Sequence, residues 1–256
     1  MIGSRLDSLL ALARSADDGA HVWLQDSVLE VDRAPIDAPT EWLTEVLSAA
    51  RSVIVGSDRA AGVVRRLAPD GPPVLVMPPA HPTVAPIVDP PDRTVIVVGD
   101  TAGVRQYLED ELSVYVVRFD EVDMTVDARE ARLLSSRAAI EFRTSERGFA
   151  STTVTHMTAR GIPTITNLSA HAPFASDDLA SRGLVVIDAD DDFTKLAEVI
   201  TPILDDDRTW LAASTAAKAT AASWTWADAA DVVSQWIEAV DSLEPSTVRV
   251  VGAVTP

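Results

Sequence analysis

Short runs of β-branched and aliphatic residues recur along nearly the whole chain, each followed by a stretch with helical spacing. This alternation constrains the fold more than any other feature. The runs lie at 21–24, 52–55, 74–77, 94–98, 113–118, 138–142, 164–166 and 184–187. Each is strand-sized and apolar almost throughout, as expected of strands covered on both faces. Strands separated by helical segments read as βαβ units, so the fold class is α/β with parallel sheets. Amphipathic helices are expected at 3–15, 41–50 and 58–67, and another at 149–160 after the strand 138–142. From Phe193 the pattern is wholly helical, with helices at 193–204, 208–221 and 226–240. Thr225 with Asp228 three positions on resembles a capping box. The tryptophans of this region, Trp210, Trp224, Trp226 and Trp236, read as hydrophobic anchors of helices onto the sheets, with ligand stacking as the other reading.

The proline-dense stretch 78–91 has no apolar period and reads as a linker. It separates a first domain, 1–85, from a second, 92–222, whose five strands form one sheet. Residues 223–243 form a closing helix and 244–256 an irregular tail. Gly99 and Gly161 sit where a strand and a helix must end, and Pro163 follows just beyond the helix stop.

Composition narrows the partners. A length of 256 residues suits two domains. The 39 acidic residues against 21 basic give a net charge of −18, which disfavours nucleic acid and anionic membrane surfaces. A small anionic ligand is compatible, because backbone N–H groups and one or two cations suffice to hold it. Cysteine is absent, which excludes disulfides and thiolate chemistry and suits the cytoplasm. The four histidines show no metal-ligand spacing, and Asp190–Asp192 reads as a helix start, so no metal is expected. The N-terminus lacks signal-peptide organisation, and no apolar run approaches the roughly 20 residues of a membrane helix. No transmembrane segment is expected.

The chemistry concentrates in 139–167, which runs strand, polar loop, helix opening on small residues, strand. The first-turn N–H groups and positive dipole end of such a helix can cradle a phosphate. Gly148, Ala150 and Ser151 leave room for the ligand, and Arg143 and Arg147 supply cations. A plainer reading makes Ser151 or Thr152 a helix cap and the arginines solvated charges. The place of the loop, at the carboxyl end of a parallel strand, is where open α/β sheets bind ligands.

Gly148-Phe149-Ala150 followed by His156-Met157-Thr158-Ala159-Arg160-Gly161-Ile162-Pro163 resembles the diagnostic segment of family 4 of the GT-B glycosyltransferases. That segment usually reads Glu-Gly-Phe-Gly, then Glu-Ala-Met-Ala-x-Gly-x-Pro. Outside it, His21-Val22-Trp23-Leu24-Gln25-Asp26 is similar to the Trp-x-His-Asp stretch of actinobacterial relatives. Arg51-Ser52-Val53-Ile54-Val55 with Ser57 resembles their first-domain strand and following serine, and Ser223-Trp224 their Ser-Trp segment before the last helix. The resemblance implies two Rossmann-like domains, the first one reduced at its front, and a C-terminal helix crossing back to it. It also implies a retaining transferase that moves a sugar from a nucleotide diphosphate sugar to an unknown acceptor, with no other cofactor.

Carried onto this chain, the resemblance assigns Asp26 and Glu146 to the reacting centre. It assigns Arg143, Arg147, Gly148, Phe149, Ala150, Ser151, Thr152 and His156 to the donor. Gly148 and His156 stand where the family carries two glutamates, and Gln25 where it carries histidine. No Gly-Arg-x-x-x-x-Lys-Gly stretch is present; Arg105 and Arg118, which could replace its cations, read as surface charges. His156 suits either a ribose hydroxyl or packing against the sheet. Two alternatives stay open. One is a non-catalytic relative that binds a nucleotide sugar or scaffolds a partner glycosyltransferase, and the other is an unrelated doubly wound α/β interaction protein.

Overall fold

A computed structural model describes residues 20–24, 37–99, 102–118, 131–143, 148–187 and 193–243. The expected helix 3–15 and Asp190–Asp192 lie outside these residues. The chain forms two compact units. The first comprises Met1–Pro78, Gly148–Ala150 and Ala227–Pro256; the second comprises Pro79–Arg147 and Ser151–Trp226.

The first unit holds a parallel three-stranded sheet in the order β1 (Ala20–Trp23), β2 (Ala50–Val55), β3 (Val74–Val76). Helix α1 (Asp37–Ala49) precedes β2 and α2 (Asp58–Leu67) follows it. The start of α1 falls four residues ahead of its expected position. Pro39 lies in its first turn, where a missing N–H costs nothing. Ser57 caps α2, its Oγ accepting from the Ala60 amide at 3.1 Å. The core unites Leu43, Val46 and Leu47 of α1, Val53 and Val55 of β2, Ala60, Ala61 and Val64 of α2, and Phe149. The Arg59 guanidinium lies 4.8 Å over the Phe149 ring. A Cβ on Gly148 would meet the Arg59 side chain at 2.7 Å, so glycine there lets Arg59 cover Phe149.

The closing helix, α8 (Trp226–Asp241), buries Ala229, Trp236 and Val240, a stripe seven and four residues apart. Trp236 Nε1 donates to Ser52 Oγ at 3.1 Å, and Arg51 Nε pairs with Asp241 at 2.6 Å. Most of this helix belongs to the first unit.

The second unit is built on a parallel five-stranded sheet. Its strands are β4 (Thr94–Gly99), β5 (Tyr115–Arg118), β6 (Ala138–Phe142), β7 (Thr164–Thr166) and β8 (Leu184–Val186), in the order β5-β4-β6-β7-β8. Helices α3 (Ala102–Glu111), α4 (Thr152–Ala159), α5 (Leu179–Arg182), α6 (Thr194–Asp205) and α7 (Asp207–Ala222) accompany it. Both faces are apolar. Val95, Val97, Ile140 and Phe142 pack with Leu196 and Ile200 of α6, while Ile96, Val98 and Ala139 pack with Met157 and Trp210. Trp210 is wholly buried and its Nε1 donates to the Arg137 carbonyl at 2.9 Å. Anchoring is therefore its role, as it is for Trp224 and Trp236; Trp226, by contrast, is about half exposed.

Because β5 lies on one side of β4 and β6 on the other, the chain reverses direction across the sheet between β4 and β6. Such a switch point opens a crevice beyond the carboxyl ends of its strands. Gly99 ends β4 there, opposite Phe142 of β6. Its φ is +92°, and a Cβ would collide with the Phe142 carbonyl. Among the described residues no helix is long and apolar enough to cross a membrane, and no three His, Asp or Glu side chains are grouped to hold a metal.

Candidate functional site

The site forms where β6 ends at the switch point. Side chains alternate along a strand, so Glu141 shares the face of Ala139, the α4 side, and is fully buried. Burying a carboxylate costs several kcal/mol unless it is paired and hydrogen-bonded. Here Arg143 Nε and Nη2 donate to its Oε1 at 3.2 and 3.0 Å, and Ser151 Oγ donates to its Oε2 at 2.8 Å. The Arg143 side chain keeps 36% of its surface open, against 1% for Glu141. A Cβ on Gly99 would come within 3.2 Å of Arg143 Cδ and Nε, so that glycine also leaves the guanidinium its room.

Ser151 is the N-cap of α4, its Oγ accepting from the Thr153 amide at 3.1 Å. Its own amide donates to His171 Nε2 at 2.9 Å. That bond requires an unprotonated Nε2, so His171 is neutral with its proton on Nδ1. Burial, reinforced by nearby His81, pushes its pKa down to about 3. His81 is itself lowered, chiefly by burial, against the opposing effect of its hydrogen bond with the Trp224 carbonyl.

The edges of β6 and β7 are fastened beyond their last ladder bonds. Asn167 Oδ1 accepts from the Arg143 amide and its Nδ2 donates to the Arg143 carbonyl, both at 2.9 Å. Thr166 Oγ1 donates to the Glu141 carbonyl at 2.7 Å. The backbone carrying Glu141 and Arg143 is thereby fixed from the β7 side.

Of the residues singled out from the sequence, Arg143 and Ser151 come together here, and they do so through Glu141. Thr152 opens α4 and is exposed. His156 is exposed too, which removes the reading that it packs against the sheet. Gly148, Phe149 and Ala150 group with the first unit, Phe149 within its core. The helix expected from residue 149 accordingly starts at Thr152, because Phe149 gains more from burial than from opening a helix. Asp26, Glu146 and Arg147 lie outside the described residues. Arg105 is a surface charge, paired with Glu109 one turn on at 3.0 Å. Glu141, Asn167 and His171 were not singled out from the sequence. A lone glutamate in the buried run Ala138–Phe142 is the signal that points to Glu141.

No family profile matches the chain, and no curated protein sequence does. Solved structures do match in shape. Sucrose-phosphate synthase from Thermosynechococcus elongatus is 13% identical at a TM-score of 0.58, over 94% of this chain and 71% of that one. The Candida albicans trehalose-6-phosphate phosphatase N-terminal domain is 11% identical at 0.56, over 94% and 74%. Anabaena HepE, solved in complex with UDP and glucose, is 13% identical at 0.53, over 87% and 71%. These likenesses show the fold alone, an α/β chain with parallel sheets of the GT-B type. The finer resemblance to family 4 rests on sequence alone.

Proposed function

We propose that this chain is a GT-B glycosyltransferase that moves a sugar from a nucleotide diphosphate sugar to an acceptor, with the donor diphosphate met by Arg143 at the junction of β6 and α4. The observation that carries this reading is the preorganised guanidinium at the switch point. Arg143 is held by Glu141 and Asn167, is partly open to solvent, and stands beside the first turn of α4. Charge builds on the departing diphosphate as the bond to the anomeric carbon breaks. A fixed guanidinium and the positive end of a helix stabilise that charge without reorganising. Retention at the anomeric carbon, and roles for Asp26 and Glu146 at the reacting centre, are assigned from the sequence resemblance. Contact of His156 with the ribose rests on the same ground, and its exposure is compatible with it.

Isothermal titration with UDP, GDP, ADP and their glucose conjugates tests the reading. At least one should bind, and Arg143→Ala should weaken it by about tenfold or more, the value of a charge-assisted hydrogen bond. Absence of binding to all of them at millimolar concentration would overturn the proposal.

A further inference from the structure

We infer that Glu141 sets the affinity of the β6–α4 junction for anions, as a resident carboxylate that competes with an incoming phosphate for Arg143 and Ser151. The inference rests on the proposed donor site and concerns how that site is regulated. Three observations carry it. Glu141 is fully buried, so its charge acts through a medium of low polarity. Its two oxygens take the donors that a phosphate at this place would use, two N–H groups of Arg143 and the hydroxyl of the α4 cap. The third is that the fold has no need of a charge here. Ala139 on the same face, Val98 beside Glu141 on β4 and Met157 of α4 packed against that face are apolar and buried, and Thr166 beside Glu141 on β7 is buried and uncharged. A buried carboxylate paired in this way is commonly no more stabilising than an apolar replacement of similar volume.

The consequence is a guanidinium whose charge is largely compensated before any ligand arrives. A diphosphate must share Arg143 with Glu141 or draw it away, and Ser151 can turn from Glu141 only by giving up a hydrogen bond to a carboxylate. Glu141 therefore holds the site weak toward phosphate and keeps the arginine aimed while the site is empty.

Glu141→Gln separates the charge from the shape. The amide oxygen can still accept from Arg143, and the amide nitrogen can donate to Ser151 Oγ, which has a lone pair to spare. UDP and, separately, inorganic pyrophosphate are titrated into the full chain, wild type and variant, at low and at physiological salt. The variant should bind both about tenfold more tightly, the effect of removing one unit charge close to a bound phosphate, and with a steeper salt dependence. Ser151→Ala, which removes a partner of Glu141 but leaves the charge, should not tighten binding. If the Gln variant does not fold, Glu141→Met, apolar and of similar length, should show the same tightening. Wild-type binding as tight as, or tighter than, that of a folded Glu141 variant overturns this inference and leaves the donor site standing. Failure of every protein to bind pyrophosphate, UDP, GDP or ADP at millimolar concentration overturns the donor site and this inference with it.

Discussion

Acidifying the protein from pH 8 to pH 5 tests the buried histidine that holds the Ser151 amide. His171 is depressed from 6.5 to about 3 in the folded chain, first by burial and then by His81. The unfolded chain returns it to its ordinary value. Between the two values the unfolded state binds a proton that the folded state does not, so stability falls as pH falls. The contribution is fully present above 6.5 and is lost progressively toward 3. At pH 5 the loss is about 2 kcal/mol, from about 1.5 pH units at about 1.4 kcal/mol each. Since pH 5 lies above the folded value, this loss is governed by the unfolded value and not by the depth of the depression. His81, also lowered, adds in the same direction. Asp206, lowered first by the Thr209 hydroxyl, loses its contribution only below the ordinary carboxylate range, outside this window. His171→Gln removes the titration and keeps an acceptor for the Ser151 amide. Pulsed hydrogen exchange on the peptide 151–159 across a urea series follows the second unit specifically. With a slope of about 2 kcal/mol/M, the wild-type midpoint should drop about 1 M further than that of His171→Gln between the two pH values. Equal drops would refute a buried neutral His171.

Two substitutions probe the support of the site. Gly99→Ala forces a side chain onto a φ of +92° and against the Phe142 carbonyl, and should cost about 2 kcal/mol or more in a urea melt; an unchanged midpoint would contradict the close approach at the switch point. Ser151→Ala removes the α4 cap and a partner of Glu141, and should cost about 1–2 kcal/mol. Faster exchange of the first-turn amides of α4 should accompany it, and unchanged exchange would deny Ser151 the capping role.

Much of the fold is legible locally. The strands at 138–142 and 164–166 match their expected bounds because each is a closed apolar run with punctuation beside it, Pro163 before β7 and the polar Asn167 after it. The strand expected at 113 begins at Tyr115, since Ser113 turns out of α3 with a φ of 50°. The misplaced start of α4 has a different origin. Residues 149–160 have helical composition, and nothing nearby shows that Phe149 is needed in a core made by residues 22–76. Its burial, worth about 2–3 kcal/mol, outweighs one added helical turn, and that comparison cannot be made within a window of ten residues.

The site was legible by half, and the missing half changes its meaning. Cations and small residues in a loop after a strand suggest a phosphate because those groups attract anions, and Arg143 and Ser151 do meet an anion. It is Glu141, placed two residues before Arg143 in the strand itself, where alternation turns it toward α4. A glutamate inside five buried residues is improbable on burial grounds unless a partner waits for it. Its presence in the strand therefore implied that a nearby cation was already engaged. His171, twenty residues after the amide it receives, joins only through the turn that follows β7, and no spacing rule links the two. On the proposed reading, the free energy open to a phosphate at this junction is a difference between two anions, one of which is part of the chain. Arginine beside a helix start is thus evidence of an anion seat, and the strand before it must be read for a carboxylate before that seat is taken as vacant.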